Sequence, residues 1–501
     1  MKIELKKVET ILKKLLEPLL DLPKYQAIYS ALREAIISEK LPDRCELPAT
    51  RPLADALNIS RSTVIKAYDL LKLEGYLESV EGSAHIIRFA SPGKAVEFIE
   101  EAKSNKYVAL SSSAESFTKT ASRLNSIDNT SVAFRPGVPP LDLFPIEKWR
   151  KLQNEYWKFV RASELTYHSG SGITALRQTI ANYLKLRRGI QCDYQQIFVV
   201  GGSLQSLFLI GSLLTDPEDE VLMEDPTFPN VYSVFKGLLR AKVLGIPIDK
   251  DGIDIDQLEE AISPQSKMVH VTPACHYPLG NQMSEKRKIE LLELANRKGI
   301  YLIENDYEHE INYPKHDGQP LFSFDKQDRS FYLSTFNRTL HPSIRVGFAV
   351  VPVHLSASFE ALIMHSHRSI SPVLQSVLRG FIEKKYLHDH MNNVVKHAQI
   401  RHELFLSRVL EHLSDELEPM QSATPSLHIL CKLKKKEEDT QVVERLMEYG
   451  IIAHPLSKCF VHKPAIQGLI FGFSSIRPQH LDAHFSKLIK GMKGLSKEIR
   501  V

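Results

Sequence analysis

The sequence predicts a multidomain protein in which a small winged helix-turn-helix unit precedes a larger α/β domain. First, its 501 residues are about three times the length of a ~150-residue domain. Second, residues 22–90 are dense in helix signals and end in a short hairpin pattern. Third, from residue 132 onward short apolar runs alternate with amphipathic helical stretches. That alternation is typical of a mainly parallel sheet with helices on both faces.

Residues 91–131 are predicted to join these two parts as a linker. Within them, residues 111–131 contain 12 Ser, Thr or Asn in 21 positions, a composition with little apolar surface to bury. A strap packed on the surface of a domain is the alternative. The predicted boundaries are therefore 22–90 for the helix-turn-helix unit and 132–501 for the α/β domain.

Composition and charge exclude several classes of protein. A hydrophobic content of 43% with 25% charged residues is ordinary globular composition, which excludes a mostly disordered or fibrous chain. A net charge of +4 is too small for binding nucleic acid by bulk charge, so any DNA contact has to be local. No run of about 18 apolar residues occurs, and we expect no membrane span. The N-terminus has no signal-peptide core.

The cysteines and histidines predict no metal site. The five cysteines lie far apart without a C-x-x-C pair, which argues against a disulfide framework and suits a reducing cytoplasm. The 20 histidines do not cluster with the cysteines. Pairs such as His388/His390 are expected on solvated helix faces. We therefore expect a cytoplasmic protein that binds neither metal nor membrane.

The prediction of an α/β domain depends on β-rich segments that are short and nearly continuously apolar. Such runs are typical of strands that are buried on both faces. They are IFVV (197–200), EVLME (220–224), KMVHVTP (267–273), YLIEND (301–306), SFYLSTF (330–336) and GFAVVP (347–352).

The stretch ELPATRPLADALNISRSTVIKAYDLLKLEGYLES has the sharpest local signal. Its part RPLADALN has the apolar spacing of a short helix. A turn follows, and Ser60 is a residue type that caps the next helix. Polar and basic residues open that second helix, which predicts helix-turn-helix geometry. The following segment, GYLESVEGSAHIIRF, supplies two short strands and a loop, the expected wing.

The predicted DNA-contacting residues are cationic or hydroxyl side chains at or near the start of the second helix. Three-helix units of this kind also serve as packing or dimerisation modules, and a lone exposed arginine is usually only solvated. Here several such groups converge where the helix dipole also favours phosphate, which favours DNA binding. The residues are Arg51, Ser60, Arg61, Ser62, Thr63 and Lys66.

Residues 22–90 resemble the GntR-type winged-helix transcription regulators. The motifs LPATR, LADALNISRSTV and AYDLLKLEGYL carry the resemblance. It implies that Arg51, Arg61 and the small polar residues beside them contact phosphates and base edges of double-stranded DNA. The wing departs from the family's common Ser-Gly-Thr and reads Ser83-Ala84-His85.

Three segments of the α/β domain predict a pocket for a phosphorylated small molecule. The segment IFVVGGSLQSLF is a strand, a glycine turn at Gly202 and a helix beginning near Ser203, whose free N–H groups form an anion site. EDPTFPNVY can place Phe228 as a flat apolar surface. STFNRTLHPSIRVGF brings the guanidinium of Arg345 to a strand edge, where it suits phosphate.

The order of these segments resembles the MocR family, in which a GntR-type domain is fused to a fold-type-I, aspartate-aminotransferase-like module with a smaller C-terminal α+β subdomain. FRPGVPPLDLFPIEKWRK (134–151), EDPTFP, VTPACHYPLGNQMSEKRK (271–288), IENDYEHEINY and STFNRTLHPSIRVGF match. The resemblance spans nearly the whole chain. It implies a homodimer, a pyridoxal-phosphate pocket and a small-molecule effector.

The sequence departs from the family at the residues that carry the chemistry. The family's Schiff-base lysine corresponds to Arg338, and a guanidinium stays protonated and cannot act as the amine nucleophile. The acidic partner of the pyridine nitrogen corresponds to Asn305, which has no charge. Asp306 is adjacent, but neighbouring side chains of a strand point to opposite faces, so Asn305 and Tyr307 share one face.

The substrate clamp is also altered. The family's carboxylate-binding arginine corresponds to Ile470, and a second such position corresponds to Asn230. The loop that reads Ser-His-Gln in the family is Ala274-Cys275-His276. The phosphate side and the residues that flank a ring remain. The predicted ligand or cofactor pocket is Gly202, Ser203, Phe228, Asn305, Tyr307, Thr335, Arg338 and Arg345.

We therefore expect a DNA-binding transcription regulator whose aminotransferase-like domain is not an enzyme and serves in ligand sensing or dimerisation. No covalent cofactor is expected; pyridoxal phosphate or a related phosphorylated ligand would bind non-covalently. The expected partners are a double-stranded DNA operator, a small-molecule effector and a second copy of the chain. Two alternatives stay open: a pyridoxal-phosphate-dependent aminotransferase-like enzyme, which Arg338 argues against, and a DNA-binding scaffold that senses nothing.

Overall fold

The computed structural model describes residues 3–19, 22–38, 40–80, 84–88, 109–124, 133–308, 311, 318–420, 426–462, 464 and 466–494. The chain divides into two compact units, Met1–Ala109 and Leu110–Val501.

In its described residues, the first unit has four α-helices and a three-stranded antiparallel sheet of order β1-β3-β2. The residues that face inward in the predicted helix-turn-helix, among them Leu53 and Val64, are fully buried. The unit also includes α1, which lies before the predicted start at residue 22, because Val8 and Leu12 are buried in the same core. The elements are α1 (Leu5–Leu16), α2 (Lys24–Ile37), β1 (Glu46–Leu47), α3 (Thr50–Ala56), α4 (Arg61–Leu73), β2 (Leu77–Val80) and β3 (Ala84–Ile87).

The second unit is built on an eight-stranded sheet of order β4-β11-β10-β9-β8-β5-β6-β7. Its five central strands, from β10 to β6, are parallel, and β11 is antiparallel to both of its neighbours. All six predicted β-rich runs contribute to it. The strands are β4 (Ile197–Val200), β5 (Glu220–Asp225), β6 (Lys242–Asp249), β7 (Gly252–Ile253), β8 (Ser266–Val271), β9 (Tyr301–Asp306), β10 (Ser330–Thr335) and β11 (Gly347–Val350).

Both faces of this sheet are buried, because successive residues of one strand enter different cores. In β4, Phe198 belongs to one apolar cluster and Val199 to another. The helices of this part are α5 (Ser112–Thr120), α6 (Ile146–Phe159), α7 (Thr174–Arg188), α8 (Ser203–Leu214), α9 (Pro229–Tyr232), α10 (Ile255–Ala261), α11 (Glu285–Lys298), α12 (Ser356–Ser366), α13 (Pro372–Glu383) and α14 (Tyr386–His412).

A smaller α+β subdomain completes the second unit. Its four strands form an antiparallel sheet of order β12-β13-β15-β14. The elements are β12 (Leu417–Pro419), β13 (His428–Leu433), α15 (Asp439–Glu448), β14 (His454–Pro455), β15 (Gly468–Gly472) and α16 (Pro478–Lys493).

Part of the predicted linker is a packed helix. α5 begins at a capping serine, Ser111, whose hydroxyl accepts from the N–H of Ala114. The Ser116 hydroxyl donates to the carbonyl of Lys236 at 3.2 Å, and Arg240 donates to the Ser112 hydroxyl at 2.6 Å. This part of 91–131 is therefore the surface strap that the sequence left as the alternative. Ser111, Ser112 and Ser116 each form a hydrogen bond in this packing.

Candidate ligand pocket and nucleic-acid interface

A cavity of about 720 Å³ opens at the carboxyl edge of the central sheet. Because β8, β9 and β10 are parallel, the residues at or just after their carboxyl ends meet there, and Thr272, Tyr307 and Thr335 all line the cavity. Its described lining includes the three arginines Arg135, Arg338 and Arg345 but no lysine and no carboxylate. The cavity is therefore suited to an anionic ligand.

One set of polar residues in the cavity surrounds the start of α8. Gly202 has φ +107°, and a Cβ there would lie 3.0 Å from the Asn337 amide nitrogen and 3.6 Å from the Thr335 hydroxyl. Ser203 opens the helix, and its buried hydroxyl has no hydrogen-bond partner among the described residues. Free N–H groups at a helix start, hydroxyls and an amide form a cradle for phosphate.

Arg345 lines the same cavity and has the chemistry of a phosphate ligand. It is exposed, adopts φ +49°, and forms no ion pair with any acidic residue in the described part of the chain. The sequence predicted Ser203, Thr335 and Arg345 together and missed Asn337. An amide is a common residue type, and only its contact with Gly202 reveals its place.

Aromatic side chains line the middle of the cavity. Phe228 and Tyr277 pack edge to face with ring centroids 4.9 Å apart, and Tyr307 lies 6.4 Å from Tyr277. The buried Tyr307 hydroxyl has no partner among the described residues. Burial raises the pKa of Tyr307 well above its ordinary value, so the phenol stays protonated and can donate a hydrogen bond to a ligand.

Asn305 faces the cavity and contacts a neutral histidine. Its Nδ2 lies 3.2 Å from His270 Nε2, and its Oδ1 is buried without a partner among the described residues. Burial lowers the pKa of His270 to about 3, so the ring is uncharged near neutral pH. This edge of the cavity offers hydrogen bonds but no charge.

The neighbouring acid points to the other face of the sheet, as the alternation of a strand predicts. Asp306 accepts from Arg188 at 2.5 Å and from the Tyr332 hydroxyl at 2.7 Å. Although burial disfavours the charge of Arg188, Asp306 raises the pKa of that guanidinium above its ordinary value. Asp306 is thus committed to a buried ion pair away from the cavity.

Arg338 is held by a carboxylate that the sequence did not single out. Its Nη1 lies 3.2 Å from Oε1 of Glu308, whose side chain is fully buried. The guanidinium also lies 5.6 Å from the centre of the Tyr307 ring. Glu308 is the second residue after β9 and lies 30 positions before Arg338, so only the fold brings the two together.

The position that the family resemblance assigns to the substrate clamp is apolar in this chain. Ile470 is fully buried in a cluster with Leu430, Leu456 and Cys459, and it is not among the residues that line the cavity. Asn230 does line the cavity, and its buried Oδ1 has no partner among the described residues.

In the first unit, the predicted DNA-contacting residues gather around the start of α4. The Ser60 hydroxyl accepts from the N–H of Thr63 at 3.2 Å and lies 2.9 Å from the Ser62 hydroxyl, so Ser60 caps the helix as predicted. Arg61 is exposed and donates to Thr50 at 3.3 Å. Lys66 lies over the ring of Tyr25 at 5.8 Å.

Arg51 is exposed at the second position of α3. In the wing, His85 packs edge to face on Tyr68 at 5.0 Å. Ser83 lies outside the described residues.

One histidine interpretation is wrong. His390 is buried rather than solvated, and its Nε2 lies 3.0 Å from the carbonyl of Thr339. On α14, His390 faces the loop after β10 that contains Thr339. The spacing of histidines in the sequence does not reveal this contact. Within the described ranges, no group of three His, Cys, Asp or Glu could hold a metal ion. No described helix combines the length and apolarity that crossing a bilayer requires.

Comparisons with known proteins agree with this architecture. The family model for class I and II aminotransferases matches residues 134–466, which is more than half of the chain. The chain belongs to the class I and II aminotransferase family. A second model, for bacterial regulatory proteins of the gntR family, matches residues 24–87. A gntR-type domain followed by a class I and II aminotransferase domain is the MocR-type architecture.

Two relatives match over most of the chain. The chain is 29% identical over 459 residues to a probable rhizopine catabolism regulatory protein MocR of Rhizobium meliloti, and the match covers 92% of each chain. It is 25% identical over 429 residues to the HTH-type pyridoxine biosynthesis transcriptional regulator PdxR of Corynebacterium glutamicum, covering 86% of this chain and 87% of that protein.

Solved aminotransferase structures share the fold of the second unit. An archaeal alanine:glyoxylate aminotransferase superposes with a TM-score of 0.68 at 22% identity, covering 78% of this chain and 99% of that one. The kynurenine aminotransferase of Pyrococcus horikoshii gives a TM-score of 0.66 at 23% identity, covering 80% and 99%. At this identity the likeness establishes a fold-type-I aminotransferase fold and nothing about activity.

Proposed function

We propose that this class I and II aminotransferase family member is a DNA-binding transcription regulator whose large domain holds a phosphorylated aromatic ligand non-covalently and catalyses no transamination. The observation that carries the proposal is the guanidinium of Arg338 in a cavity whose described lining contains no lysine. A guanidinium stays protonated in proteins and is not a nucleophile. A covalent link to an aldehyde would need an amine that this site does not supply.

The site nevertheless fits the rest of pyridoxal phosphate or a similar ligand. The start of α8, Thr335, Asn337 and Arg345 would hold the phosphate. Phe228 and Tyr307 would lie against the ring, and the unpartnered polar atoms of Ser203, Asn305 and Tyr307 would gain hydrogen bonds.

Neutral groups at the Asn305 edge also argue against catalysis. When bound in an enzyme, pyridoxal phosphate supplies an electron-withdrawing ring, and that property depends on a protein charge that keeps its ring nitrogen protonated. Asn305 and the uncharged His270 have no such charge, while Asp306 is paired with Arg188. These residues support binding of a neutral ring rather than its activation.

The DNA-binding part of the proposal rests on the first unit. Its gntR-type domain presents Arg51, Arg61 and Lys66 near the start of a recognition helix, where the helix dipole favours phosphate. We propose a double-stranded operator with two half-sites, read by a homodimer. A ligand would regulate by binding one arrangement of the dimer more tightly than another.

The test is a titration of the full-length protein with pyridoxal phosphate and pyridoxamine phosphate, followed by borohydride and mass spectrometry. We expect reversible binding that leaves no reduced adduct in the cavity. Arg345→Ala should weaken binding about tenfold or more, because it removes a charge-assisted hydrogen bond. Arg379→Ala, an exposed arginine on α13, is the matched control.

Two outcomes would overturn the proposal in different ways. A borohydride-fixed adduct in the cavity, together with turnover of an amino donor, would restore the enzyme alternative. Failure of every phosphorylated vitamer and metabolite in a thermal-shift panel would remove the ligand and leave the DNA-binding scaffold.

A further inference from the structure

The helix α4 has one buried side and one exposed side. Its buried residues recur at spacings of three and four, as the core side of a helix requires, and they are Val64, Ala67, Tyr68 and Leu71. Its exposed residues are Arg61, Ser62, Ile65, Lys66, Asp69 and, at its end, Leu73. The exposed side therefore contains several residues predicted to contact DNA. It also contains Ile65, which that prediction did not include.

Ile65 is the one apolar residue on the exposed side of the described stretch Arg61–Asp69, and it is 38% exposed. Isolated exposed apolar residues are common on proteins, so exposure alone does not define a site. A β-branched residue at an exposed helix position also stabilises the helix less than alanine or lysine does. The polar and cationic neighbours of Ile65 are what indicate a contact.

Two cationic side chains lie on either side of Ile65. Around a helix that turns about 100° per residue, Ile65 lies about 40° from Arg61 and about 100° from Lys66, between the two. The guanidinium of Arg61 donates to Thr50 of α3 at 3.3 Å, and Nζ of Lys66 lies 5.8 Å from the centre of the Tyr25 ring on α2. Both cations therefore lie toward neighbouring helices, and the apolar side chain is placed between them.

Asp69 marks where the contacting part of α4 ends. Its carboxylate lies 3.7 Å from Lys72, and a carboxylate is repelled by the phosphates of DNA. In helix-turn-helix docking, the N-terminal residues of the second helix reach the base edges, and contacts to phosphate fix its position. Ile65 is the fifth residue of α4 and lies within this N-terminal part.

The major groove has one apolar group that suits such a side chain. The base edges there present hydrogen-bond donors and acceptors, and the exception is the C5 methyl group of thymine. An isoleucine against a polar base edge would displace water without replacing its hydrogen bonds. We propose that Ile65 packs on a thymine methyl group and makes thymine the preferred base at one position of each half-site. This inference rests on the DNA-binding part of the proposed function.

The experiment begins with the full-length wild-type protein and a library of random-sequence DNA duplexes, from which bound duplexes are recovered and sequenced. In a recovered duplex, each thymine is then replaced singly by deoxyuridine, which keeps the Watson–Crick pair and removes the C5 methyl group. We expect one such replacement in a half-site to weaken binding about fourfold in a polarisation titration. This is the effect of losing one buried methyl group.

Variants assign that effect to Ile65. Ile65→Ala should bind the thymine duplex about fourfold more weakly or worse, and it should no longer distinguish thymine from deoxyuridine, because either change alone removes the same contact. The dependence of its affinity on salt should match that of the wild type, since no phosphate contact is lost. Leu73→Ala is the matched control, because it removes an 84% exposed apolar side chain from the last position of the same helix. It should keep the thymine preference.

The outcomes separate this inference from the proposed function. If the wild type recovers no preferred duplex from the library, operator recognition fails and the role of Ile65 fails with it. If a duplex is recovered but no thymine methyl group affects binding, the role of Ile65 alone is wrong. A preference for thymine over deoxyuridine that survives in Ile65→Ala also contradicts it, because another residue then contacts the methyl group.

Discussion

At position 338, a lysine and an arginine would support different chemistry. A lysine can lose its proton and attack a carbonyl carbon, whereas an arginine keeps its charge and offers a fixed fork of donors. In this chain Glu308 accepts from the fork and Gly137 makes room for it. Asn305 is an uncharged residue whose Nδ2 lies 3.2 Å from His270 Nε2.

A double substitution tests this map of the pocket. Arg338→Lys with Asn305→Asp places an amine and a negative charge at the two positions where, on the proposed function, covalent cofactor binding would need them. We expect the folded double variant to retain pyridoxal phosphate through gel filtration and to show a visible absorption band that the wild type lacks. A folded but colourless double variant would contradict the pocket assignment. Arg379→Lys controls for the change of residue type at an exposed site.

Arg61 tests the nucleic-acid interface at the same scale. It is exposed at the first position of α4, beside the capping Ser60. If its guanidinium contacts a base edge, Arg61→Ala should weaken binding to a cognate operator by ~1–3 kcal/mol in a polarisation titration. Arg44→Ala removes an exposed arginine from the same unit and is the control. Equal affinities for Arg61→Ala and wild type would exclude Arg61 from the interface.

At the scale of elements, the helix that follows Phe228 connects the cavity to the strap. α9 contains Asn230, which lines the cavity, and it continues into a π-helical turn, Ser233–Leu238. α5 packs on that turn through Thr120, which lies against Gly237. This packing holds α5 against the element that continues from the cavity-lining helix.

The packing of α5 depends on Gly237 having no side chain. A Cβ at Gly237 would lie 2.2 Å from the Thr120 hydroxyl, so Gly237→Ala should push α5 outward. Overpacking of this kind costs about 1–3 kcal/mol, and we expect amide hydrogen exchange in α5 to accelerate about tenfold or more. Adding Thr120→Ala should restore part of the protection. Lys236→Ala, which keeps the carbonyl that accepts from Ser116, is the control. Unchanged exchange in Gly237→Ala would show that α5 is not held by this contact.

At the scale of the whole molecule, the fold could be predicted further than the site. The six apolar runs are all strands, because a strand buried on both faces has to be apolar along its length. The helix-turn-helix could be predicted because apolar spacing and a capping serine are local features. α1 was missed because its amphipathic pattern shows only that it packs somewhere, and not that Val8 and Leu12 share the core of α2.

The parts of the site that depend on meetings between distant segments could not be predicted. Nothing in the sequence distinguishes Glu308 and His270 from other residues of their types. Their places in the site become apparent only from the contacts of Glu308 with Arg338 and of His270 with Asn305. Asn337 likewise becomes part of the cradle only through Gly202. An unusual residue at a motif position can be recognised from the sequence. The residues that contact it lie far away in the chain, so they can be identified only from the three-dimensional structure.

The close approach of Arg338 to Gly137 has a consequence for how this protein can change. Even a methyl group at residue 137 would overlap the guanidinium, so the two positions are coupled. Residue 137 has to remain glycine as long as residue 338 is this arginine. A lysine at 338 would keep a positive charge, but its slimmer side chain would leave a hollow beside Gly137, where the guanidinium now lies. Exchange of Arg338 for a smaller side chain therefore passes through a poorly packed intermediate.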